Sequence, residues 1–141
     1  MAMVIRAELF QPGLQIVQPE FFNQMTTNHG LIMVFGVIMP AFVGLANWML
    51  PMQIGAPDMA LPRLNNLSFW LLPMAFGILI STLFMPEGGP NFGWTFYAPL
   101  STTYAPSTVN FFIFSVHIMG VSSILGSINI ITTIFNMRAP G

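Results

Sequence analysis

The sequence predicts an all-α fold, a polytopic bundle of transmembrane helices, from three observations. Of its 141 residues, 55% are hydrophobic and only 5% charged, against about 25% charged in an ordinary soluble domain. Three stretches, Leu31 to Met52, Leu67 to Met85 and Val109 to Phe135, contain no Asp, Glu, Lys or Arg, and each has roughly the 20 residues needed to cross a hydrocarbon core. The segments between them are rich in proline and glycine, as connecting loops are.

Taken in order, Met1 to Leu9 resembles the last turns of a helix whose body lies upstream, so the start reads as a cut end. The polar loop from Gln11 to Pro19 follows. The first full span covers approximately residues 29–52, with Thr26, Thr27 or Asn28 available to cap it. Pro40, in its middle, predicts a kink, which a membrane helix tolerates when neighbours satisfy the freed carbonyl. Asp58 and Arg63 place the 51–66 loop in water or at the interface. The second span covers about 67–86, with Pro73 and Gly77 inside it, and the segment from Pro86 to Ser107 is a long loop. The third, about 109–135, ends at Arg138 and Pro140. The whole chain, 1–141, reads as a single domain.

Arginine is two to one in favour of the face bearing Arg63 and Arg138 over that bearing Arg6, which makes the former the cytoplasmic or matrix side by the positive-inside rule. A net charge of −1 and three basic residues exclude nucleic acid, which demands phosphate neutralisation. With no cysteine, disulfides, iron–sulfur clusters and thiolate metal sites are excluded within the chain. Metal chemistry, if present, belongs to histidine.

Four polar features stand out. His29 opens the first span beside Gly30, with Gly36 two turns on; bare backbone beside an imidazole suits a flat, wide cofactor. By spacing alone, however, an interfacial histidine hydrogen-bonded to a neighbour is the better account. His117, within the third span and without a second ligand near it, reads as neutral and satisfied by a hydrogen bond inside the bundle. Ser115, Ser122, Asn129 and Asn136 recur every seven residues and form a stripe roughly 30 Å long, flanked by Ser123. Such a stripe either glues helices together or supports a file of water. Asp58, a carboxylate on the membrane face of the stripe's Asn136 end, with Asn47 and Asn65 nearby in sequence, favours a proton-collecting mouth; an ordinary surface pair with Arg63 is equally open.

The strings "TNHGLIMVFGVIMPAFVGLANWMLPMQIGAPDMALPRLNNLSFWLLP", "IRAEL", "FGWTFYAPLS" and "GVSSILGSINIITTIFNMRAPG" together resemble subunit I of the haem-copper oxidases, as found in cytochrome c oxidase. The resemblance covers essentially the whole chain and implies a fragment of a twelve-helix subunit, from the end of helix one through helix four. It implies that His29 is an axial ligand of the low-spin haem a and that Arg6 hydrogen-bonds the haem formyl group. It places Trp94 and Tyr97 near haem propionates. Asp58 matches the entrance of a proton pathway continued by Asn47, Asn65, Ser122, Ser123 and Asn129, while His117 matches no ligand.

The parent enzyme so implied reduces oxygen to water with electrons from cytochrome c while pumping protons, using a second, high-spin haem and copper B. Pro57 and Trp48 favour cytochrome c, delivered through a copper-bearing subunit II, over ubiquinol; subunit III is a further expected partner. The copper B and high-spin haem ligands belong to later helices, so the fragment alone is expected to be inactive. The implied location is a bacterial inner membrane, with the mitochondrial inner membrane as the alternative. The rivals are a quinol oxidase subunit I and a non-catalytic membrane scaffold whose stripe only packs helices.

Overall fold

In the computed structural model, which describes residues 1–140, every regular element is helical. Helix α1 spans Ala2–Glu8. Helix α2 (Pro19–Leu31), a π-helical segment (Ile32–Ile38) and helix α3 (Met39–Ile54) run on as one stretch. Helix α4 (Pro62–Ser81) ends in a 3-10 turn, Thr82–Phe84, and helix α5 covers Val109–Asn136. Three stretches, Pro19–Ile54, Pro62–Phe84 and Val109–Asn136, are long and apolar enough to cross a membrane.

The first of these begins ten residues before His29, and the expected cap at Thr26, Thr27 or Asn28 does not form. Pro19 sits in the first turn, where a missing N–H costs nothing, and Glu20 lies beside it at the positive end of the helix dipole. The three polar residues are instead inside the helix. Thr26, Thr27 and Asn28 each donate to the carbonyl four residues back, on Phe22, Asn23 and Gln24. Pro40 is accommodated by a change of helix type. In the preceding π segment Met39 N–H reaches back five residues to the Val34 carbonyl, so the wider turn comes just where an α register would set the proline ring against the Gly36 carbonyl.

Helix α3 stops at Gly55, whose φ of 71° is the left-handed conformation open to glycine. The connection to α4 is therefore only residues 55–61, shorter than the 51–66 loop expected, with Arg63 already in the first turn of α4.

Helices α4 and α5 form the principal pair. Leu31, Ala75, Leu79, Phe92, Phe112 and Met119 make the buried apolar core around it, with Phe92 edge-on to Phe112 at 5.5 Å. Along the seam, side-chain hydroxyls bond to the backbone of the opposite helix. Ser115 Oγ donates to the Ala75 carbonyl at 2.7 Å. Ser68 and Ser122 are reciprocal, each hydroxyl donating to the other's carbonyl, at 2.8 and 2.6 Å.

Outward faces carry large apolar side chains, among them Phe42, Trp48, Phe114 and Phe135. The Ser68–Ser122 exchange should behave as a unit. Ser68→Ala and Ser122→Ala in the complete subunit should each cost about 0.5–1.5 kcal/mol of stability, and the double variant less than their sum; strict additivity in a denaturation double-mutant cycle would show that the two hydroxyls act independently.

Candidate functional site

The polar residues near the 55–61 turn converge on one cavity of about 580 Å³ between α3, α4 and α5. Asn47 reaches it from α3, Asp58 from the connecting turn, Asn65, Asn66 and Ser68 from α4, and Ser122 and Ser123 from α5. Phe35, Met39, Val43, Leu72 and Met119 complete the wall with apolar surface. The structure thus brings together Asp58, Asn47, Asn65, Ser122 and Ser123, residues spread over 77 positions of sequence.

Asp58 is exposed, and its Oδ1 takes the N–H of Met59 at 2.7 Å. Asn47 donates Nδ2 to the Val43 carbonyl, while its Oδ1 is buried with no partner. A buried acceptor without a partner, on the wall of a space this size, is the arrangement that ordered water ordinarily satisfies.

Asn129 stands outside this wall. Its Oδ1 accepts the N–H of Leu61, and Thr133 Oγ1 accepts that of Ala60, each at 2.9 Å. These two bonds hold the entry to α4 against α5, and with them the turn that carries Asp58. The Asn129 Nδ2, fully buried, has no partner. Of the seven-residue stripe, Ser115, Ser122 and Asn129 are buried and bonded to backbone across the seam, whereas Asn136 is exposed. The stripe is helix glue from Ser115 to Asn129, and only Ser122 of its members also faces the cavity.

His29 is half-buried on α2, and the hydrogen bonds around it are made by its neighbours: Thr27 Oγ1 takes the Gly93 N–H at 3.0 Å. That bond pins the 92–97 loop to α2 and sets Trp94 beside Gly30, where an added Cβ would meet the Trp94 Cβ at 4.0 Å. Trp94 and Tyr97 are themselves exposed. Gly36 does not leave open space on this side; a Cβ there would stand 2.9 Å from Phe76 Cζ of α4. Arg6 is exposed on α1, which packs against α2. His117 is exposed and bonds through Nδ1 to the Ile113 carbonyl of its own helix at 2.8 Å, so its hydrogen bond is intrahelical rather than to the bundle. Among the described residues no group of three His, Cys, Asp or Glu could hold a metal ion.

A family model described as cytochrome c and quinol oxidase polypeptide I matches residues 1–141. The chain belongs to this family. The probable cytochrome c oxidase subunit 1-alpha of Streptomyces coelicolor is 47% identical over the whole chain, which spans 25% of that relative's length. Cytochrome c oxidase subunit 1 of Cereibacter sphaeroides is 50% identical over 85% of the chain and 22% of its own length. Cytochrome c oxidase subunit 1 of Corynebacterium diphtheriae is 46% identical over the whole chain and 25% of its own length. The chain thus spans about a quarter of the curated relatives it matches. It is an integral membrane protein on the combined grounds of its three apolar helices and this membership.

Asn66, Ser68 and the apolar wall escaped the sequence reading; Ser68, one turn on from Asn65 on α4, is the one that spacing could have found. Glu8 escaped it as well. Its carboxylate accepts three successive backbone N–H groups, from Gln15, Ile16 and Val17, at 2.7 to 3.0 Å, and these bonds hold its pKa below the ordinary carboxylate value. Glu87 is lowered likewise by the hydroxyl and N–H of Ser107.

Because the folded pKa of Glu8 is depressed, the order it gives the 9–18 loop is fully present above the unfolded value of about 4.3. That order is lost as pH falls through the folded value. Amide exchange at Ile16 and Val17, corrected for intrinsic rates, should therefore accelerate on acidification in the complete subunit, and Glu8→Gln should accelerate it at neutral pH; unchanged protection in Glu8→Gln would mean that the carboxylate does not hold the loop.

Proposed function

We propose that this chain is the part of a cytochrome c oxidase catalytic subunit that supplies one axial ligand to a low-spin haem a and forms the entrance of its proton path. The observation that carries the reading is the cavity, in which an exposed carboxylate leads into a space lined by uncharged amides and hydroxyls.

Asp58 can take a proton from bulk water and pass it on, because it is exposed at the mouth and ionises. Asn47, Asn65, Ser122 and Ser123 do not ionise in the physiological range, but each can both donate and accept hydrogen bonds. Lining a cavity with room for several waters, they orient a hydrogen-bonded file along which a proton moves without a fixed charge to trap it. The unpartnered Asn47 Oδ1 is a seat for one such water. Asn129, outside the cavity wall, contributes by holding the turn that bears Asp58. The apolar wall from Phe35 to Met119 discourages other ions, since a charge without partners is costly there.

His29 fits the haem role as a single donor: it is half-buried and has glycine on its C-terminal side, with the 92–97 loop pinned to the neighbouring Thr27 and set beside Gly30. When bound, low-spin haem supplies one-electron transfer. In this reading Arg6 would hydrogen-bond the haem formyl group, and Trp94 and Tyr97 would serve the propionate side. One imidazole makes one axial bond, so the other ligand comes from the part of the relatives that this chain does not span. The ligands of the high-spin haem and copper B are proposed to lie there too.

Subunits II and III are the proposed partners, with cytochrome c as donor through subunit II on the strength of Pro57 and Trp48. The proposed location is the bacterial inner membrane, in keeping with the relatives above. By itself the fragment is proposed to be inactive.

Two substitutions in the complete subunit test the two sites separately. His29→Ala should abolish the low-spin haem absorption while leaving helix content intact, and an unchanged spectrum would remove the ligand assignment. Asp58→Asn should slow proton uptake at least about tenfold, as loss of a general-acid/base group commonly does, with haem content unchanged; normal turnover with normal uptake would remove the entrance assignment.

A further inference from the structure

We infer that the π-helical segment Ile32–Ile38, with Gly36 at its centre and Pro40 just beyond it, is a positioning element that turns α3 relative to α2. It lets one membrane helix present His29 on one side and the polar cavity wall on another. The inference deepens the two-site reading above.

Helical phase fixes which residues of an unbroken helix share a face. The buried residues of α2 are Gln24, Met25, Thr27, Asn28 and Leu31. At ~100° per residue, His29 projects roughly a third of a turn away from the centre of that buried face. Asn47 follows His29 by eighteen positions, five whole turns of an α-helix. An unbroken helix would therefore put Asn47 on the His29 side, away from α4 and α5. It would carry the buried face of α2 onward through Phe42, Leu45 and Met49.

The opposite is found. Phe42, Leu45 and Met49 are 70%, 48% and 40% exposed, while Met39, Val43 and Asn47 line the cavity. The π segment accounts for the difference. A π turn closes a hydrogen bond one residue longer than an α turn and so advances less per residue, roughly 80° rather than 100°. Seven such residues fall short by about a third of a turn, the angle by which the buried face has moved.

Gly36 and Pro40 each favour the segment. Pro40 lacks the N–H that an α register would direct at the Gly36 carbonyl, and its ring would press on that carbonyl. Gly36 leaves room for Phe76 of α4, which lies 2.9 Å from where a Cβ would be. Phe35, inside the segment, is itself part of the cavity wall.

The experiment is a cysteine scan in the complete subunit within its assembled complex, in a stretch of chain that has no cysteine of its own. Single substitutions Phe42→Cys, Val43→Cys, Leu45→Cys, Asn47→Cys and Met49→Cys are exposed to a charged, water-soluble methanethiosulfonate. Only the thiolate reacts, and thiols in apolar surroundings stay protonated. Labelling should therefore be at least about tenfold faster at positions 43 and 47 than at 42, 45 and 49. Faster labelling at 42, 45 and 49, or equal labelling at all five, overturns the inference.

An alanine inserted between Ala41 and Phe42 should move the labelled positions off 43 and 47 while the low-spin haem absorption is retained. Removal of Val37, an exposed residue of the π segment, replaces seven residues at roughly 80° by six at roughly 100° and should leave both the labelling pattern and the haem band in place. Labelling unmoved by the insertion, or shifted by the removal, counts against the inference. Labelling reports the register alone, so a failed Asp58→Asn test beside the expected labelling would refute the proton path and leave the register standing.

Discussion

In a bilayer no water is at hand to satisfy a polar group left without a partner, and each such group costs several kcal/mol. The seam between α4 and α5 meets that constraint by directing the hydroxyls and amides of one helix to the backbone of the other. Ser115 reaches Ala75, Ser68 and Ser122 exchange bonds, Asn129 receives Leu61, and Thr133 receives Ala60. The last two matter most for the site, because they fix the short turn after Gly55 and so the position of Asp58. Without the seam, α4 and α5 would meet through apolar contacts that lipid could replace with little loss.

The cavity exists because α3 does not close the third side of that pair tightly. Small or flexible residues line it where the helices would otherwise touch: Gly44 and Met39 on α3, and Gly126 and Met119 on α5. Its polar groups come from the same residue types as the seam, but with bonding capacity to spare. Ser122 belongs to both. Its hydroxyl donates to Ser68, and an oxygen with two lone pairs can still accept a bond from a water in the cavity. Packing and a path for water are thus not rival explanations of one stripe but functions of its different members.

On the opposite membrane face, the chain's order depends on loops tied to helix α2 and to charged groups. Glu8 gathers the 15–17 backbone, Thr27 pins Gly93, and Glu87 and Thr108 link the two ends of the long loop through Ser107 and Gly88. This lattice sets Trp94 next to Gly30 and so shapes the surroundings of His29. The long loop is also anchored by apolar packing, since Phe92 and Phe96 meet Phe112 in the core, so of these ties only those to Glu8 and Glu87 respond to pH.

Composition and charge-free run length were enough to determine from the sequence an all-helical, three-span membrane chain, because burying backbone in hydrocarbon leaves helices as the main solution. Residue identity in long strings was enough to determine its family. The seven-residue spacing from Ser115 to Asn136 located a polar face on α5, since an α-helix repeats nearly every two turns.

What that face touches was decided by tertiary structure alone. Periodicity gives the direction of a side chain but not its neighbour, so it could not separate Ser122, which serves both seam and cavity, from Asn129, which holds a turn. The start of α2 was misplaced because Thr26, Thr27 and Asn28 have the same short polar side chains whether they cap a helix or bond back inside it. The π segment was likewise invisible. A proline announces that a hydrogen bond is missing, but not that the turn before it widens to a bond five residues long, as Met39 to Val34 does here.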